Sequence, residues 1–519
     1  MYLTQGLHRA LQRHPDKTAL VHVGEVDGRS AVRHQTFRDL LDAVARQAGA
    51  LAARGVGPGD RVAMLAPNDD RLVRAILACW WLGAVACPLN TRWSRAELAD
   101  ALADCEPTLL LTDAALAERL PASGVAALDL EALATAAAVH APREDRRAGG
   151  DTLAALLYTG GTTGRAKGVM LTHANFWTAC MARGAELNNA PESVSLLVAP
   201  LFHVAGLSRL IGQSLVGGTC LTMAQFRPQA VLAAIEAQQI TDTILVPTML
   251  QALLDEPGFR PERVQSLNRI AFGAAPMPPD LLDRALAAWP QAEFFQAYGL
   301  TETAGAVCIN LPINHRSAEA RASGKLNAVG RAGLGAEIIV AGPDGRELPR
   351  CEVGEVLCRG PMVTPGYWRN PEASAAALRD GWFHSGDAGC MAADGTLRIV
   401  DRLKDMIISG GENIYCAEVE AALRAHPAVA QAAVVGAPDA RWGEVVHAFV
   451  VLKTDCSALA EAPADSPDAP PVDEQLRAWC RERLAGYKCP RRLTVTEELP
   501  LSAAGKVLKN RLRERARNP

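Results

Sequence analysis

The sequence predicts an α/β protein: a large N-terminal domain of layered α/β subdomains with a β-rich subdomain, and a small α+β C-terminal domain. Three observations predict it. Over the first 400 residues short apolar runs alternate with amphipathic helical repeats, the rhythm of βαβ units around a largely parallel sheet. After about residue 330 strand-like runs follow one another across tight turns. From Asp401 onward the pattern becomes helix, strand, strand, helix. A chain of 519 residues also exceeds one compact domain. The expected boundaries are 1–400 for the N-terminal domain, with its β-rich part at about 330–400, and 401–519 for the C-terminal domain.

Taken in order, Phe37, Leu40, Leu41, Val44, Ala45, Ala48 and Leu51 repeat at helical spacing, and the turn Gly55-Val-Gly-Pro-Gly-Asp60 ends that helix. Arg61 to Ala66 reads as a buried strand. Asn68-Asp69-Asp70 caps the next helix, and Gly83 to Leu89 is the next strand. The segment Ala75 to Val85 is apolar throughout but about half the length of a membrane span, so it is expected as a buried helix. Further strands are expected at Thr152–Tyr158, Thr243–Val246, Arg269–Phe272 and Glu293–Gln296, each ending in a loop. In open α/β sheets, ligands collect at such carboxyl ends. Gly335–Val340, Gly354–Arg359 and Thr396–Val400 supply the β-rich part. The tail offers a helix at Glu418–Ala425, strands at Val429–Val435 and His447–Leu452, and a helix at Asp473–Leu484. The Ala-, Pro- and Asp-rich stretch Thr454–Val472 is expected to be a surface excursion.

Composition excludes several classes. A hydrophobic content of 49%, a charged content of 21% and a net charge of −4 are those of a globular protein and not of a nucleic-acid binder. Thirteen scattered cysteines without a CxxC pair read as reduced thiols in a cytoplasm. The N-terminus Met1-Tyr-Leu-Thr-Gln-Gly lacks the charged and apolar regions of a signal peptide.

The strongest chemical signal is the loop Tyr158-Thr-Gly-Gly-Thr-Thr-Gly-Arg-Ala-Lys-Gly168. Gly160, Gly161 and Gly164 let backbone amides approach an anion; Thr159, Thr162 and Thr163 add hydroxyls, and Lys167 adds charge. It is not a Walker A loop, because no Gly-Lys-Ser/Thr closes a GxxxxG spacing. In Tyr298-Gly-Leu-Thr-Glu-Thr-Ala-Gly305 a tight turn can lay the Tyr298 ring on a purine. There Thr301 can donate to a phosphate, and Glu302 is a hard oxygen ligand suited to Mg²⁺. The competing reading of Glu302 is a helix-capping partner. Asp387, in Asp380-Gly-Trp-Phe-His-Ser-Gly-Asp387, can accept from both hydroxyls of a ribose. Lys506, in Pro500-Leu-Ser-Ala-Ala-Gly-Lys-Val-Leu-Lys509, sits on a glycine-containing loop and can offset charge developing on a phosphate.

Together these segments resemble the acyl-adenylate-forming superfamily, in its acyl-CoA synthetase branch, over nearly the whole chain. The usual loop has Ser or Thr where Gly160 stands and Pro where Ala166 stands. The resemblance implies an ATP-dependent acid:CoA ligase. The acid becomes acyl-AMP with release of pyrophosphate; the acyl group then passes to CoA with release of AMP. Mg²⁺ is the implied cofactor, on Glu302 and Thr159.

Nucleotide binding falls to Thr159, Gly161, Thr162, Thr163, Gly164, Lys167, Gly273, Ala274, Ala275, Tyr298, Gly299, Thr301, Asp387 and Arg402. Lys506, Glu302 and His203 are the implied catalytic residues, His203 as a positioning group. His203, Val204, Leu207, Val246 and Met249 border the acyl pocket. Asp401 is the implied hinge of a mobile C-terminal domain. Gly410, Gly411, Trp442, Lys488 and Arg491 are the implied CoA contacts. The pocket walls are apolar or small and hold no basic residue for a second carboxylate, so a medium or long fatty acid or an aryl, cinnamate-like acid is expected. The expected partners are that acid, ATP and CoA, with no nucleic acid and no membrane span; a homodimer is an assembly to test. The alternative acceptor is an acyl-carrier protein loaded by a stand-alone adenylating ligase.

Overall fold

A computed structural model describes residues 1–26, 29–122, 124–159, 166–275, 277–453, 471–501 and 507–517. Gly161, Thr162, Thr163, Gly164 and Lys506 lie outside the described residues, as does the stretch 454–470.

The helical repeat after residue 36 forms the helix Phe37–Ala52. It starts in a capping box: Asp39 N donates to Thr36 Oγ1 at 3.1 Å, and Thr36 N donates to the Asp39 carboxylate at 3.1 Å. Its apolar stripe, Leu40, Leu41, Val44, Ala48 and Leu51, is buried. The strand Arg61–Leu65 follows, and Asp69 then caps the helix Asp70–Leu82 by accepting from Leu72 N at 2.9 Å. This helix carries the apolar run at Ala75 and is buried on every side from Ala75 to Leu82, as an all-round apolar helix must be. No described helix is long and apolar enough to cross a membrane.

Two large sheets carry the α/β part. The first has nine strands in the order Arg331–Ala332, Gly305–Asn310, Glu293–Leu300, Arg269–Gly273, Asp242–Leu245, Val194–Leu197, Thr219–Met223, Thr18–Val26, Arg29–Thr36. Its central pairs are parallel and its outer pairs antiparallel. Beside it packs a core that includes Leu196, Val231, Ile235, Leu250, Phe272 and Phe294. The second has six strands in the order Ala127–Asp129, Leu109–Thr112, Arg61–Leu65, Val85–Pro88, Leu153–Thr159, Lys167–Thr172; all its pairs are parallel except the last. A third sheet of five strands holds Glu337–Ala341, Val353–Arg359, Leu378–Arg379, Trp382–Met391 and Leu397–Arg402.

The chain groups into two compact units. The first comprises Met1–Ile338, Leu357–His384 and Gly395–Leu397; the second comprises Ile339–Val356, Ser385–Asp394 and Arg398–Pro519. Within the second, the hairpin Val429–Asp439 and Gly443–Leu452 is clothed on both faces. Alternation of side chains explains this. Ala432 and Val434 pack with Val419 and Leu423 of the helix Cys416–Arg424 and with Leu476 of the helix Val472–Arg481. Ala433 and Val435 pack with Leu512 and Ala516 of the helix Lys509–Arg517.

Candidate active site

Strand register assembles the first group of expected residues. Asp242 pairs with Ser195 and Thr243 with Leu196; Leu245 pairs with Phe272; Phe272 pairs with Gln296 and Gly273 with Ala297. The carboxyl ends of four adjacent parallel strands therefore stand side by side. The residues at or just beyond those ends are His203, Val246, Gly273 to Ala275, and Tyr298 with Gly299. That is the edge at which a doubly layered α/β sheet binds its ligand. His203 precedes the helix Val204–Val216, and its ring centroid lies 4.7 Å from that of Phe202. Leu207, one turn along, is fully buried. Val246 precedes the helix Pro247–Leu254, whose Met249 packs against the core beneath.

The backbone here is crowded. A Cβ on Gly299 would lie 1.9 Å from the Gly305 carbonyl oxygen, so this position admits no side chain. Ala274 and Ala304 hold left-handed conformations, with φ of 65° and 52°. Each costs on the order of 1–2 kcal/mol for a residue with a Cβ. Such strain survives where the surrounding structure over-determines it, and it clusters at functional sites.

The partners of Glu302 bear on its capping reading. Local capping falls to Thr303, whose Oγ1 accepts from Leu300 N at 2.9 Å. The Glu302 side chain, only 8% exposed, points elsewhere. Its Oε1 accepts from the Tyr367 hydroxyl at 2.9 Å, and its carbonyl oxygen accepts from Thr364 N at 2.7 Å. The segment 364–368 is also stitched to the strand that follows the glycine-rich loop. Thr364 Oγ1 donates to Met170 O at 2.5 Å, Met170 N donates to Gly366 O at 3.0 Å, and Trp368 N donates to Gly168 O at 2.7 Å. Lys167 stands in that strand opposite Thr159, and its Nζ lies 5.1 Å from the centroid of the Tyr367 ring. One tyrosine thus touches both polar groups: its hydroxyl holds Glu302 and its face seats Lys167. Tyr158, just before the loop, is anchored by donating to Asp104 Oδ2 at 2.7 Å. Burial raises the Asp104 carboxyl and pushes the Tyr158 phenol far up, so the phenol keeps its proton.

The donor chemistry suits Mg²⁺. Among the described residues no group of three His, Cys, Asp or Glu could cage a metal. Glu302 and Thr159 offer hard oxygens only. Mg²⁺ characteristically takes one or two protein oxygens and completes its shell with phosphate and water.

The second unit carries the remaining expected residues. Arg402 Nε lies 2.6 Å from Asp387 Oδ1, and Asp387 is almost fully buried. Its backbone is fixed by Asp387 N donating to Ser385 Oγ at 3.0 Å. Asp401 accepts from Arg402 N at 2.7 Å and from Ala417 N at 3.2 Å, near the start of the helix Cys416–Arg424. Gly410 donates its N–H to Trp442 O at 2.9 Å, and a Cβ there would lie 2.7 Å from the Trp442 ring. Gly410 has φ 61° and Gly411 has φ 89°, so the close approach and the left-handed turn both require glycine. The Trp442 ring is flanked by the guanidinium groups of Arg441 and Arg491, at 4.9 and 4.8 Å. Lys488 is held by both oxygens of Glu418 at 2.8 Å.

Two residues of the first unit escaped the sequence reading. Tyr367 lies 65 positions after Glu302, in a segment with no phosphate-loop or metal-ligand pattern. Arg183 lies in the helix His173–Glu186 and reaches Ser208 O at 2.9 Å and Ser208 Oγ at 3.4 Å. Helical periodicity marks Arg183 only as a polar position, and nothing in its neighbours announces a ligand.

Comparison with known proteins gives the family. Residues 7–368 match the family described as AMP-binding enzyme, and residues 418–506 match the AMP-binding enzyme C-terminal domain. The chain is 42% identical over 507 residues to a feruloyl-CoA synthase of Amycolatopsis sp, covering 94% of this chain and 96% of that protein. It is 38% identical over 483 residues to a 2-succinylbenzoate–CoA ligase of Bacillus velezensis, covering 93% of each. Its fold is similar to that of an o-succinylbenzoate CoA synthetase from Bacillus subtilis solved with its acyl-adenylate intermediate. There the TM-score is 0.84 and the identity 34%, over 98% of this chain and 97% of that one.

Proposed function

The chain belongs to the AMP-binding enzyme family, and on that premise we propose that this acid:CoA ligase activates an aryl acid of the cinnamate kind. The overall reaction is that of an acid:CoA ligase: acid and ATP give acyl-AMP and pyrophosphate, and CoA then displaces AMP. The identity of 42% to a feruloyl-CoA synthase and of 38% to a 2-succinylbenzoate ligase supports an aryl acid over a fatty acid.

The observation that carries the adenylation chemistry is the junction at Tyr367, which holds a carboxylate and a lysine on one side chain. Transfer at phosphorus needs positioning and charge neutralisation more than covalent help. In this reading Thr159, Thr301 and Lys167, with the loop residues Gly161, Thr162, Thr163 and Gly164, hold the phosphates. Tyr298 stacks on the adenine, and the backbone of Gly273 to Ala275 forms its wall. Asp387 and Arg402 take the ribose. Glu302 and Thr159 would hold Mg²⁺, which would neutralise polyphosphate charge when bound. His203 orients the acid carboxylate, and Lys506 offsets the charge that grows on the α-phosphate during attack. Gly410, Gly411, Trp442, Lys488 and Arg491 serve the thiol half, with Asp401 as the pivot between the halves. The described cysteines are all free thiols, which supports a reducing, cytoplasmic setting.

The test is a panel of aryl and alkyl acids incubated with ATP, Mg²⁺ and limiting CoA, following AMP and thioester together. Cinnamate-like acids should give stoichiometric AMP and aryl-CoA. Preference for alkyl acids would overturn the aryl assignment. Acyl transfer to a carrier protein's phosphopantetheine but not to free CoA would overturn the acceptor.

A further inference from the structure

Gly299, one wall of the expected acyl pocket, packs directly on the turn at Gly305. On the other side of Gly305 lies a polar pair: a Cβ built there would stand 3.3 Å from Ser208 Oγ and 3.9 Å from Arg183 Nη1. Ser208 belongs to the same helix as Val204 and Leu207 and is buried. The pocket wall therefore runs from apolar side chains and bare backbone onto one hydroxyl and one guanidinium.

The charge balance there is uneven. Arg209, next along that helix, is fully committed to Asp242 and donates to Ser195 Oγ at 2.7 Å. Arg269 lies 3.4 Å from Glu293. Arg183 is close enough to Arg209 to repel it. Yet among the described residues no carboxylate forms an ion pair with Arg183, whose acceptors are the neutral oxygens of Ser208 and the Cys180 sulfur. Its Nε is buried and has no partner among the described residues. Its other flank borders a cavity of about 10 Å³ beside Ala179, Ala182, Glu186 and Ala306, room for one water molecule; the Glu186 carboxylate accepts from Leu334 N at 2.7 Å and makes no ion pair with Arg183. A part-buried guanidinium with donors to spare favours an oxygen acceptor, most of all an anionic one.

We propose that Arg183, with Ser208, is a specificity-determining residue that recognises an oxygen at the far end of the acid, a carboxylate or a phenolic oxygen. The proposal rests on the aryl-acid reading above for its pocket, and it extends that reading to a substituted acid. It also revises the expectation that no basic residue could meet a second carboxylate. Arg183 comes from a different helix, about twenty residues before His203, and so was not among the walls considered.

The experiment uses matched acids with and without a distal oxygen on two frames: cinnamate against 4-hydroxycinnamate and 4-carboxycinnamate, and decanoate against its ω-hydroxy and ω-carboxy forms. ATP–pyrophosphate exchange gives kcat/KM for each in the full-length enzyme, in Arg183→Leu and in Arg183→Lys. The frame that reacts tests the aryl reading. The ratio of oxygen-bearing to bare acid on that frame tests Arg183, so the two can fail separately. The native enzyme should prefer an oxygen-bearing acid about tenfold to a hundredfold, the yield of one charge-assisted hydrogen bond. Arg183→Leu should bring that ratio close to one, and Arg183→Lys should restore part of it for the carboxylate. Where Arg183→Leu fails to fold, Arg183→Gln reads the same ratio. No preference in the native enzyme, or a preference that survives loss of the guanidinium, overturns the proposal.

Discussion

Replacing Tyr367 by Phe removes one oxygen atom and tests the junction at its most specific point. The phenyl ring stays, so the seat of Lys167, 5.1 Å above it, stays as well. The bond from Thr364 N to the Glu302 carbonyl, 2.7 Å, also remains and keeps the Glu302 backbone in place. What is lost is the 2.9 Å hydrogen bond to the Glu302 carboxylate, in a side chain only 8% exposed. A hydrogen bond to a charged group is worth roughly 1.5–3 kcal/mol, or about ten- to a hundredfold in an equilibrium. With Glu302 as the proposed Mg²⁺ ligand, removal of the group that orients it costs about the same range in metal affinity. The Mg²⁺ concentration for half-maximal pyrophosphate exchange, at saturating ATP and acid, should therefore rise by about tenfold or more. Binding of Mn²⁺ in the presence of a non-hydrolysable ATP analogue, read by electron paramagnetic resonance, should weaken in parallel. Tyr367→Leu should add a rise in KM for ATP, because it also removes the ring beneath Lys167. An unchanged metal dependence in Tyr367→Phe would refute the reasoning and leave Tyr367 as a packing residue.

Asp242→Ala should destabilise the protein by about 3–5 kcal/mol in urea unfolding, because it strands the buried Arg209; pairing it with Arg209→Met should recover most of that loss, which a merely local packing defect would not allow. Lys506→Ala should lose acyl-AMP formation far more than transfer to CoA from supplied acyl-AMP, and the reverse pattern in single-turnover assays would contradict its role. Burial and neighbouring arginines hold the His315 imidazole down at about 4, so the folded state stays unprotonated while the unfolded chain takes a proton as pH falls below 6.5. That contribution to stability is complete above pH 6.5 and is lost towards pH 4, by up to about 3 kcal/mol. His315→Leu should flatten the fall of urea midpoints across this window, and an identical slope would exclude His315 as a source. Ala274→Gly should stabilise by up to about 1 kcal/mol in thermal unfolding, since it relieves a left-handed φ at an exposed position without removing a buried methyl; a loss of stability would show that chain entropy outweighs the strain.

Much of the layered fold was legible because its signals are local. Period-two and period-3.6 apolar patterns, and caps such as Thr36 and Asp69, act within a few residues of each other. The runs at Arg61, Arg269 and Glu293 start their strands at the expected residues. The order of strands was not legible. Val194–Leu197 lies between Asp242–Leu245 and Thr219–Met223 in the sheet, a crossing that no short-range pattern encodes. The ends of the elements also drifted. The hairpin strands Val429–Asp439 and Gly443–Leu452 run about four residues further than their apolar runs, because backbone pairing continues through Pro438 and Glu444 after the apolar pattern stops.

The same divide runs through the candidate site. Glu302 could be named from its octapeptide, but the contact that holds its carboxylate lies 65 residues away. Thr303 takes the capping bond, and that leaves the Glu302 carboxylate to a tyrosine which also seats Lys167. A side chain that joins two motifs carries no motif of its own, since its identity is set by the distance it spans and not by its neighbours. Arg183 follows the same logic with opposite sign. It is conspicuous only because it forms no ion pair among the described residues: Glu186, which borders the same cavity, accepts instead from Leu334 N at 2.7 Å, and a pair that does not form leaves no trace in a sequence. Motifs therefore locate the chemistry common to adenylation, whereas the roles proposed for Tyr367 in metal grip and for Arg183 in choice of acid emerge from charge and hydrogen-bond accounting in three dimensions.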